Sequence, residues 1–450
     1  MFALNTTNRR EVLDTLRRAP PPTSILLPTR TGVPTHRPAP PVTAPRSYAI
    51  RIDPFDPKVI DVNLASFDPR LEKGAKVHAG EDASNALVAA TKAAGGARAR
   101  LKGGVKLSLG DAEYVLMGSA GSGAHADVFE AEHAAVAAVS LSGELDDEDD
   151  DLRGGIAVKV QTARLARWEW VITKRLAERL AETDIPLIVQ PTALHLVGGS
   201  DASGATADAT TGVIVMPFGA HGTLQDVLNA YLRVGDAMDE VLVMYYAIEL
   251  LRVMDALHRD GVLHADIKPD NLLVRNGGEE WCDWAAHRPR SWKDKGLALI
   301  DFGRALDLNA FPSNAVFFGD HGTEGFRCVE MVNGEAWTFQ ADAYCVAATI
   351  HALLFGKYMK VSKNAATGAY APTETLRRYW KTELWEAFFH ALLNCPTSEL
   401  RAPPCFKSLR YGFEAHLTET DAGAKIRLAM MKQTIRMADA YDRTRGKGKI

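Results

Sequence analysis

Residues 263–273 read LHADIKPDNLL and combine side chains that could act together on a phosphoryl group. Asp266 can accept or orient a hydroxyl proton, Lys268 can neutralise a phosphoryl group in transfer, and Asn271 can offer its carbonyl oxygen to a hard cation. A turn rich in Asp and Asn would need neither the lysine nor the apolar residues on both sides. The pattern therefore indicates phosphoryl-transfer chemistry rather than a structural turn.

A second motif lies about thirty residues further on. Residues 299–303 read LIDFG, which predicts an apolar strand that ends in Asp-Phe-Gly. In this position the Asp301 carboxylate would hold Mg²⁺ across the phosphates of a nucleotide. A strand that turns at an aspartate would explain the motif if it stood alone, but that explanation is poor once residues 263–273 are considered.

A glycine motif precedes both of these. Gly121, Ser122 and Gly123 begin a G-x-G-x-x-A-x-V pattern between two predicted strands, and Val128 completes it. Glycines let a backbone approach phosphates closely, so that its N–H groups can bind them. Taken alone, the motif would more simply be a β-hairpin turn.

Lys159 ends the apolar run Ile156–Lys159, and Glu169 follows ten residues later between two tryptophans. A lysine inside an apolar strand is costly unless its ammonium group meets an anion. We expect Glu169, near the start of a helix, to pair with it. The alternatives are a lysine on the solvent face of its strand and a surface glutamate.

Downstream, residues 322–330 read GTEGFRCVE, and Asp342 follows inside a helical pattern. Glu330 and Asp342 could each be helix-cap carboxylates. The five motifs nevertheless occur in the order that a protein kinase requires, and this order is far more specific than any one of them.

The elements around the motifs suit this interpretation. Hydrophobic patterning predicts a β-rich part followed by an α-helical part, with a change of character after residue 222. The predicted strands are 113–117, 126–131, 155–161, 186–196 and 212–217, and the predicted helices are 164–182, 223–233, 238–258, 340–355 and 382–394. We therefore predict an α+β fold of the bilobal eukaryotic protein kinase type, with a ligand cleft between a small β-rich lobe and a large helical lobe.

Composition excludes several other classes of protein. The 450 residues carry a net charge of −4, and the run at 144–151 alone holds seven acids, so no strong field favours nucleic acid or an anionic membrane as the main partner. Five scattered cysteines favour a reducing compartment over a disulfide framework or a zinc site. No apolar stretch reaches the length of a membrane span, so we expect neither a membrane nor direct nucleic-acid binding.

More narrowly, the chain resembles the mitotic checkpoint kinases of the BUB (budding uninhibited by benzimidazoles) family over about residues 50–418. The similarity rests on several departures from the average kinase. These are Ala126 at the end of the glycine motif, the short link from 159–161 to 168–169, Ala265 in place of arginine, the segment 325–331, the run 354–361 and Asp53-Pro-Phe-Asp56 upstream.

The resemblance implies how the chain is divided. Nine of its 22 prolines lie within residues 20–45, which favours a disordered tail. We expect a tail at 1–49, an N-terminal extension packed on the kinase at 50–109, a kinase domain at 110–418 with lobes at 110–218 and 219–418, and a C-terminal helix with a basic end at 419–450. Segments 144–151, 198–212 and 276–294 are interpreted as surface insertions.

The resemblance also implies an activity, transfer of the γ-phosphoryl of ATP to serine or threonine, with Mg²⁺. Lys159, held by Glu169, would bind the α- and β-phosphates, while Asn271 and Asp301 would bind the metal. The residues expected around the adenine are Val128, Ala157, Met216, Gly219 and Leu273.

The partners implied are a protein substrate, such as a core histone tail, and checkpoint or kinetochore proteins. The expected location is the nucleus, at kinetochores and centromeres, and also the cytoplasm. The helical repeats through which the family binds its scaffold are not seen in residues 1–49, so checkpoint partner binding is an expectation from family alone.

Two rival functions remain open from the sequence. A pseudokinase scaffold is one, although the full catalytic set argues against it. A small-molecule kinase is the other, although the segment 322–330 suits a peptide substrate. Finally, Ala265 cannot pair with a phosphorylated side chain, so we expect activity that does not depend strongly on activation-segment phosphorylation.

Overall fold

The computed structural model describes residues 49–446, with several gaps. The gaps are residues 73, 79–84, 86, 90–91, 93–99, 124, 135–154, 199–209, 278–280 and 396–403. The proline-rich tail, the acidic run 144–151, most of segment 198–212 and the last four residues therefore lie outside the described residues. Among the residues described, no helix is long and apolar enough to cross a membrane.

The N-terminal half forms one curved sheet with a single long helix against it. Its elements are β1 (Ile50–Ile52), α1 (Pro57–Ser66), β2 (Ala75–His78), β3 (Arg100–Leu109), β4 (Ala112–Ser122), β5 (Ala126–His133), β6 (Ile156–Thr162), α2 (Ala163–Arg179), β7 (Ala193–Val197) and β8 (Thr211–Pro217). Seven strands pair in the order β2-β7-β8-β6-β5-β4-β3. Only β2 and β7 are parallel, and the remaining neighbours are antiparallel.

Two edge strands of this sheet were not predicted. Both β2 and β3 come from the segment 50–109, which was interpreted as an extension, so part of that segment belongs to the sheet. The predicted strand 186–196 is also wrong in its first half. A 3-10 turn occupies Ile185–Leu187, and the strand begins only at Ala193. The apolar residues Leu187 and Ile188 are buried without forming part of the sheet.

The C-terminal half is mainly helical. Its elements are α3 (Leu224–Arg233), α4 (Glu240–Arg259), β9 (Val262–Leu263), β10 (Leu272–Asn276), α5 (Arg290–Lys293), β11 (Lys295–Leu299), β12 (Leu306–Asp307), β13 (Ala315–Phe317), α6 (Val329–Val332), α7 (Gln340–Phe355), β14 (Val361–Lys363), β15 (Tyr370–Pro372), α8 (Thr382–Leu393), α9 (Phe406–Glu419) and α10 (Gly423–Gly446). The predicted helices 223–233, 238–258, 340–355 and 382–394 are confirmed to within two residues. The helix predicted at 164–182 ends three residues early, at Arg179.

The core of this lobe is built around α4 and α7, which are buried on almost every side. Because neighbouring elements cover most of their surfaces, these two helices fix the positions of the loops that follow them. Segment 276–294 was interpreted as a surface insertion, and most of its described residues lie at the surface, but two tryptophans anchor it to the core. Trp292 is 1% exposed and Trp284 is 6% exposed, because both indoles complete the core of this lobe.

The segment before the sheet contacts both halves of the structure. Strand β1 pairs in parallel with β13, so that Ile50 lies opposite Ala315 and Ile52 opposite Phe317. Further along, α1 and the 3-10 turn at Pro69–Glu72 pack on α2, where Trp170 donates its indole N–H to the carbonyl of Leu71 over 2.8 Å. One short segment therefore contacts both the long helix of the small lobe and a strand of the large lobe.

Candidate active site

The cleft between the lobes has a roof of strands and a floor formed by β10. Within the roof, Val128 on β5 lies opposite Lys159 on β6, and Ala157 on β6 lies opposite Met216 on β8. At the floor, a Cβ atom added to Gly219 would lie 2.7 Å from Cδ1 of Leu273. The backbone at Gly219 thus approaches the Leu273 side chain so closely that a larger residue would need Leu273 to move.

Lys159 joins the two lobes through its ammonium group. Its Nζ atom donates to Oε2 of Glu169 over 2.8 Å and to Oδ1 of Asp301 over 2.7 Å. The Lys159 and Glu169 side chains are almost fully buried, whereas the Asp301 side chain is 40% exposed. Glu169 lies seven residues into α2, in its second turn, rather than at its start.

Lys159, Glu169 and Asp301 form a trio of charged groups, and the pKa of each depends on the charge of at least one of the others. Burial disfavours the Lys159 ammonium, but the two carboxylates outweigh burial and raise the pKa of Lys159. Burial would also raise the pKa of Asp301, but the Lys159 ammonium and its hydrogen bond hold that pKa at about 2. Burial raises the pKa of Glu169 while Lys159 opposes the rise. The Lys159–Asp301 pair is therefore ionised at neutral pH.

Gln161 is a neighbour of this trio that the sequence reasoning missed. Its Nε2 atom donates to Oε2 of Glu169 over 2.8 Å. The signal was available, because residues two apart on a strand project from the same face, so Gln161 follows Lys159 toward α2. Gln161 supplies a second donor to a buried carboxylate.

Three side chains donate hydrogen bonds to the Asp266 carboxylate, and that of Asn271 is the longest at 3.3 Å. Lys268 Nζ donates to Oδ2 of Asp266 over 2.8 Å, and the Thr323 hydroxyl donates to Oδ1 over 2.7 Å. Lys268 also donates to the Thr323 oxygen over 3.1 Å. Thr323 was expected only as part of a peptide-seating segment, and its contact with Asp266 spans 57 residues of sequence. A hydroxyl already lies within hydrogen-bond distance of the carboxylate predicted to orient one.

The backbone of the loop that carries Asp266 is held by Asp342, which is fully buried. Its Oδ2 atom accepts the N–H of His264 over 2.9 Å, and its Oδ1 atom accepts the N–H of Ala265 over 2.7 Å. His258 also contacts Oδ2 at 2.8 Å. Burial would raise the pKa of Asp342, but the hydrogen bond from His258 and the charge beside it lower that pKa. Ala265 adopts a φ of 59°, a left-handed conformation that these bonds maintain.

Asp301 also lies in a left-handed conformation, with a φ of 65°. After it the chain turns so that Phe302 is 1% exposed, edge-on to the His264 ring at 5.1 Å between centroids. The imidazole of His264 donates from Nε2 to the carbonyl of Ile300 over 3.0 Å. The two loops that carry Asp266 and Asp301 are thereby packed against each other.

The residues expected to bind a divalent cation have suitable donor atoms. Asn271 is buried, and its Nδ2 atom donates to the backbone oxygen of Asp266 over 2.8 Å, which leaves Oδ1 as the acceptor atom of the amide. The Asp301 carboxylate is ionised and partly exposed. Amide and carboxylate oxygens are the ligands that a hard cation prefers. The donor set therefore fits Mg²⁺ or a similar ion.

The glycine motif forms the turn between β4 and β5. The Gly123 N–H donates to the carbonyl of Ala126 over 2.9 Å, and the Ser122 hydroxyl donates to Asp127 over 2.6 Å. A Cβ atom added to Gly121 would meet no atom within 4 Å. The glycine motif thus forms a hairpin turn, and phosphate binding by this turn remains a prediction.

Comparisons with known proteins agree with this geometry. Residues 201–390 match the model of the protein kinase domain family. The chain is 37% identical over 297 residues to a mitotic checkpoint serine/threonine-protein kinase BUB1 from Arabidopsis thaliana, covering 65% of this chain and 51% of that protein. It is 32% identical over 326 residues to the protein of the same name from Mus musculus, covering 72% of this chain and 27% of that protein. The chain carries a serine/threonine kinase domain of the BUB1 family.

A solved structure supports the fold of this BUB1-family domain. The crystal structure of the BubR1 kinase domain aligns with a TM-score of 0.65 and 26% sequence identity, and the alignment covers 86% of this chain and all of that one. The predicted bilobal kinase fold is confirmed. The chain spans about half the length of the plant relative and about a quarter of the mouse one.

Protein kinase domains, the class to which this domain belongs, generally use ATP and a divalent metal. The structure brings Lys159 together with Glu169 and Asp301, and it pairs Ala157 with Met216 and places Gly219 against Leu273. The role of the five residues expected around the adenine remains a prediction. The division of the chain at residue 110 remains a prediction.

Proposed function

We propose that the chain is an active ATP:protein serine/threonine kinase rather than a pseudokinase scaffold. The observation that carries this proposal is the Asp266 carboxylate, which accepts the Thr323 hydroxyl over 2.7 Å while Lys268 bonds to both residues. A scaffold has no need of a carboxylate that holds a hydroxyl beside an ammonium group. The Lys159–Glu169 pair supports the same conclusion, since a buried ion pair costs free energy that a purely structural role would not repay.

The residues act by position and charge. Asp266 orients the acceptor hydroxyl and accepts its hydrogen bond, while Lys268 offsets the negative charge that develops on the phosphoryl group. Lys159, kept charged by Glu169, binds the nucleotide phosphates under the turn of the glycine motif. Asn271 and Asp301 hold the divalent cation, for which we propose Mg²⁺, and the bound cation supplies positive charge beside the phosphates.

The finer proposals concern substrate and place. From the resemblance to the BUB family, the protein substrate is a core histone tail, the partners are checkpoint and kinetochore proteins, and the location is the nucleus at kinetochores, with a cytoplasmic pool. The names of the plant and mouse relatives, both mitotic checkpoint kinases, support a role of this kind.

The test is a phosphate-transfer assay with Mg·ATP labelled at the γ position and a panel of purified core histones. We expect incorporation by the wild-type chain, and a loss of at least 100-fold in Asp266→Asn and Lys159→Met. The matched controls are Asp239→Asn and Lys58→Met, which change exposed residues outside the candidate active site and should retain activity.

Two outcomes would contradict the proposal. Thermal stabilisation by Mg·ATP without any phosphate transfer would favour a pseudokinase scaffold. Incorporation that persists in Asp266→Asn would show that another group orients the hydroxyl. Transfer to other proteins but not to any histone would overturn only the substrate.

A further inference from the structure

A second concave site lies away from the cleft, where the end of α2 meets helices α4 and α9. Its volume is about 540 Å³. The end of α2 and the turn after it contribute one wall, and the helices contribute the other two. Its basic lining residues are Arg179, Arg252, Arg259, Lys407 and Arg410. None of them belongs to the candidate active site, and the proposed kinase reaction leaves this cavity without a role.

The sequence explains why one cavity collects so many cations. On α4, Arg252 and Arg259 are separated by seven residues, or two helical turns, so both project from one face. On α9, Lys407 and Arg410 are three residues apart and share a face in the same way. Arg179 is the last residue of α2. Three separate helices therefore present basic residues to one space.

Positive charge exceeds negative charge on the lining. Five cationic side chains face two carboxylates, Asp184 and Asp255. Asp184 is already bonded to Arg259 at 2.6 Å. Behind the lining, one carboxylate, Glu414, is shared between Arg252 at 3.3 Å and Arg410 at 3.6 Å. Glu249 lies 3.7 Å from Arg252 and Asp307 lies 3.0 Å from Arg179, so the buried carboxylates stand behind the guanidinium groups while the cavity side of the lining keeps its excess of cations.

Several guanidinium N–H groups at this site lack an acceptor. Among the described residues, Nε and Nη2 of Arg179, Nε of Arg252 and Nε of Arg410 are buried and have no hydrogen-bond partner. A buried donor without an acceptor costs free energy comparable to a lost hydrogen bond. Burial and the nearby guanidinium groups of Arg288 and Arg410 also lower the pKa of Arg252, against the effect of Glu249 and Glu414. Arg179, Arg252 and Arg410 thus each keep at least one buried N–H group without an acceptor.

The walls are held in place before any ligand arrives. Arg179 donates from Nη1 to Oδ2 of Asp307 over 3.0 Å, and Asp307 is fully buried. Arg252 is oriented by Glu414, and Arg259 by Asp184. Side chains fixed in this way lose little entropy when they bind a ligand, which favours affinity.

We propose that this cavity binds a phosphate monoester carried on a polypeptide segment. The paired N–H groups of a guanidinium can donate two parallel hydrogen bonds to the oxygens of a phosphate group. A phosphorylated side chain carries a charge of about −2 and three strong acceptor oxygens. The volume falls in the range of ligand sites and leaves room for residues beside the phosphate. Tyr411, which is 43% exposed at this site, offers an aromatic surface to such residues.

The test uses the full chain and three probes: the tripeptide acetyl-Gly-phosphoserine-Gly-amide, its unphosphorylated form and inorganic phosphate. Binding is measured by isothermal titration calorimetry, with and without a saturating non-hydrolysable ATP analogue. We expect the phosphopeptide to bind at least tenfold more tightly than either other probe, and to bind equally well when the analogue is present, since the cavity is separate from the cleft.

The site is located with paired variants. Lys407→Gln/Arg410→Gln should weaken phosphopeptide binding at least tenfold. The matched control Lys425→Gln/Arg427→Gln removes one lysine and one arginine from the neighbouring helix α10, outside the cavity, and should bind as the wild type does. If the first variant fails to fold by circular dichroism, Lys407→Gln alone serves, because Lys407 is exposed.

Three results would overturn the proposal. Equal binding of the phosphorylated and unphosphorylated peptides would show that the phosphate is not recognised. Unchanged binding in the Lys407 variants would place the phosphopeptide elsewhere. Inorganic phosphate that binds as tightly as the phosphopeptide would show that the ligand is free phosphate and not a polypeptide. The measurement requires no phosphate transfer, so it can fail or succeed independently of the kinase proposal.

Discussion

Trp168 donates its indole N–H to the backbone carbonyl of Ala305 over 2.9 Å. Trp168 precedes Glu169 on α2, and Ala305 follows Asp301 by four residues. This bond therefore ties the helix that carries one partner of Lys159 to the segment that carries the other. Asp307 makes a second connection between this helix and this segment, because it accepts hydrogen bonds from Arg175 and Arg179 of α2. The trio around Lys159 is held together by contacts of the folded chain.

Replacing Trp168 with Phe should weaken this connection while keeping most of the packing. We expect an unfolding free energy lower by about 1–3 kcal/mol, since the carbonyl of Ala305 loses its partner in a buried place. The kcat should also fall, because α2 positions Glu169 less well. Urea unfolding and steady-state phosphate transfer measure the two effects.

Trp170→Phe is the matched control for this change. It removes an equally buried indole N–H, whose acceptor is the carbonyl of Leu71 instead. The loss of stability should be similar, but kcat should fall less. An equal fall in kcat for both variants would mean that the Trp168 bond has no special part in holding the site.

The pairing of β1 with β13 predicts a role for the backbone of Ile50. Its N–H donates to the carbonyl of Asn314 over 3.0 Å, and the Phe318 N–H donates to the carbonyl of Ile52 over 3.1 Å. Ile50→Pro removes the first donor and should disrupt the pairing. We expect faster amide hydrogen exchange at Phe318 and lower kinase activity.

Ile50→Ala provides the comparison, because it keeps the N–H and trims a side chain that is 44% exposed. Exchange at Phe318 should stay close to that of the wild type. Slow exchange at Phe318 in Ile50→Pro would show that β13 holds its position without β1.

The depressed pKa of Asp301 predicts how stability changes in acid. A carboxyl whose pKa is about 2 in the folded chain and 3.8 in the reference state stabilises the fold at pH values above about 4. That contribution is lost as the pH falls from 4 toward 2. The stability difference between the wild type and Asp301→Asn should therefore shrink over this window, as measured by urea unfolding at a series of pH values. With Asp239→Asn as the exposed control, no such convergence is expected. A difference that stays constant down to pH 3 would contradict the prediction.

Ala265 predicts that the enzyme does not require phosphorylation of its activation segment. An alanine has no charge to bind a phosphorylated residue, and the segment is held instead by the β1–β13 pairing and by Asp307. Purified chain treated with a phosphatase, which is then removed, should keep at least half of its kcat. A loss of more than tenfold that is restored by incubation with ATP would show that phosphorylation orders the segment.

The sequence was sufficient for features that depend on neighbouring residues. The helix predicted at 340–355 has those bounds in the structure, because a helix is specified by periodicity over a few turns. The order of the motifs was likewise enough to predict a bilobal kinase fold. Lys159 could be expected to meet Glu169, since an ammonium group in an apolar strand needs a nearby anion.

The tertiary structure decided what depends on residues far apart in the chain. The Thr323–Asp266 bond, the position of β3 at the sheet edge and the burial of Trp292 follow from which surfaces pack together, and no local pattern encodes that choice. The basic cavity is the clearest example. Arg179, Arg252 and Arg410 are ordinary arginines on three helices, and they form one site only because close packing of the cores brings the helix surfaces together.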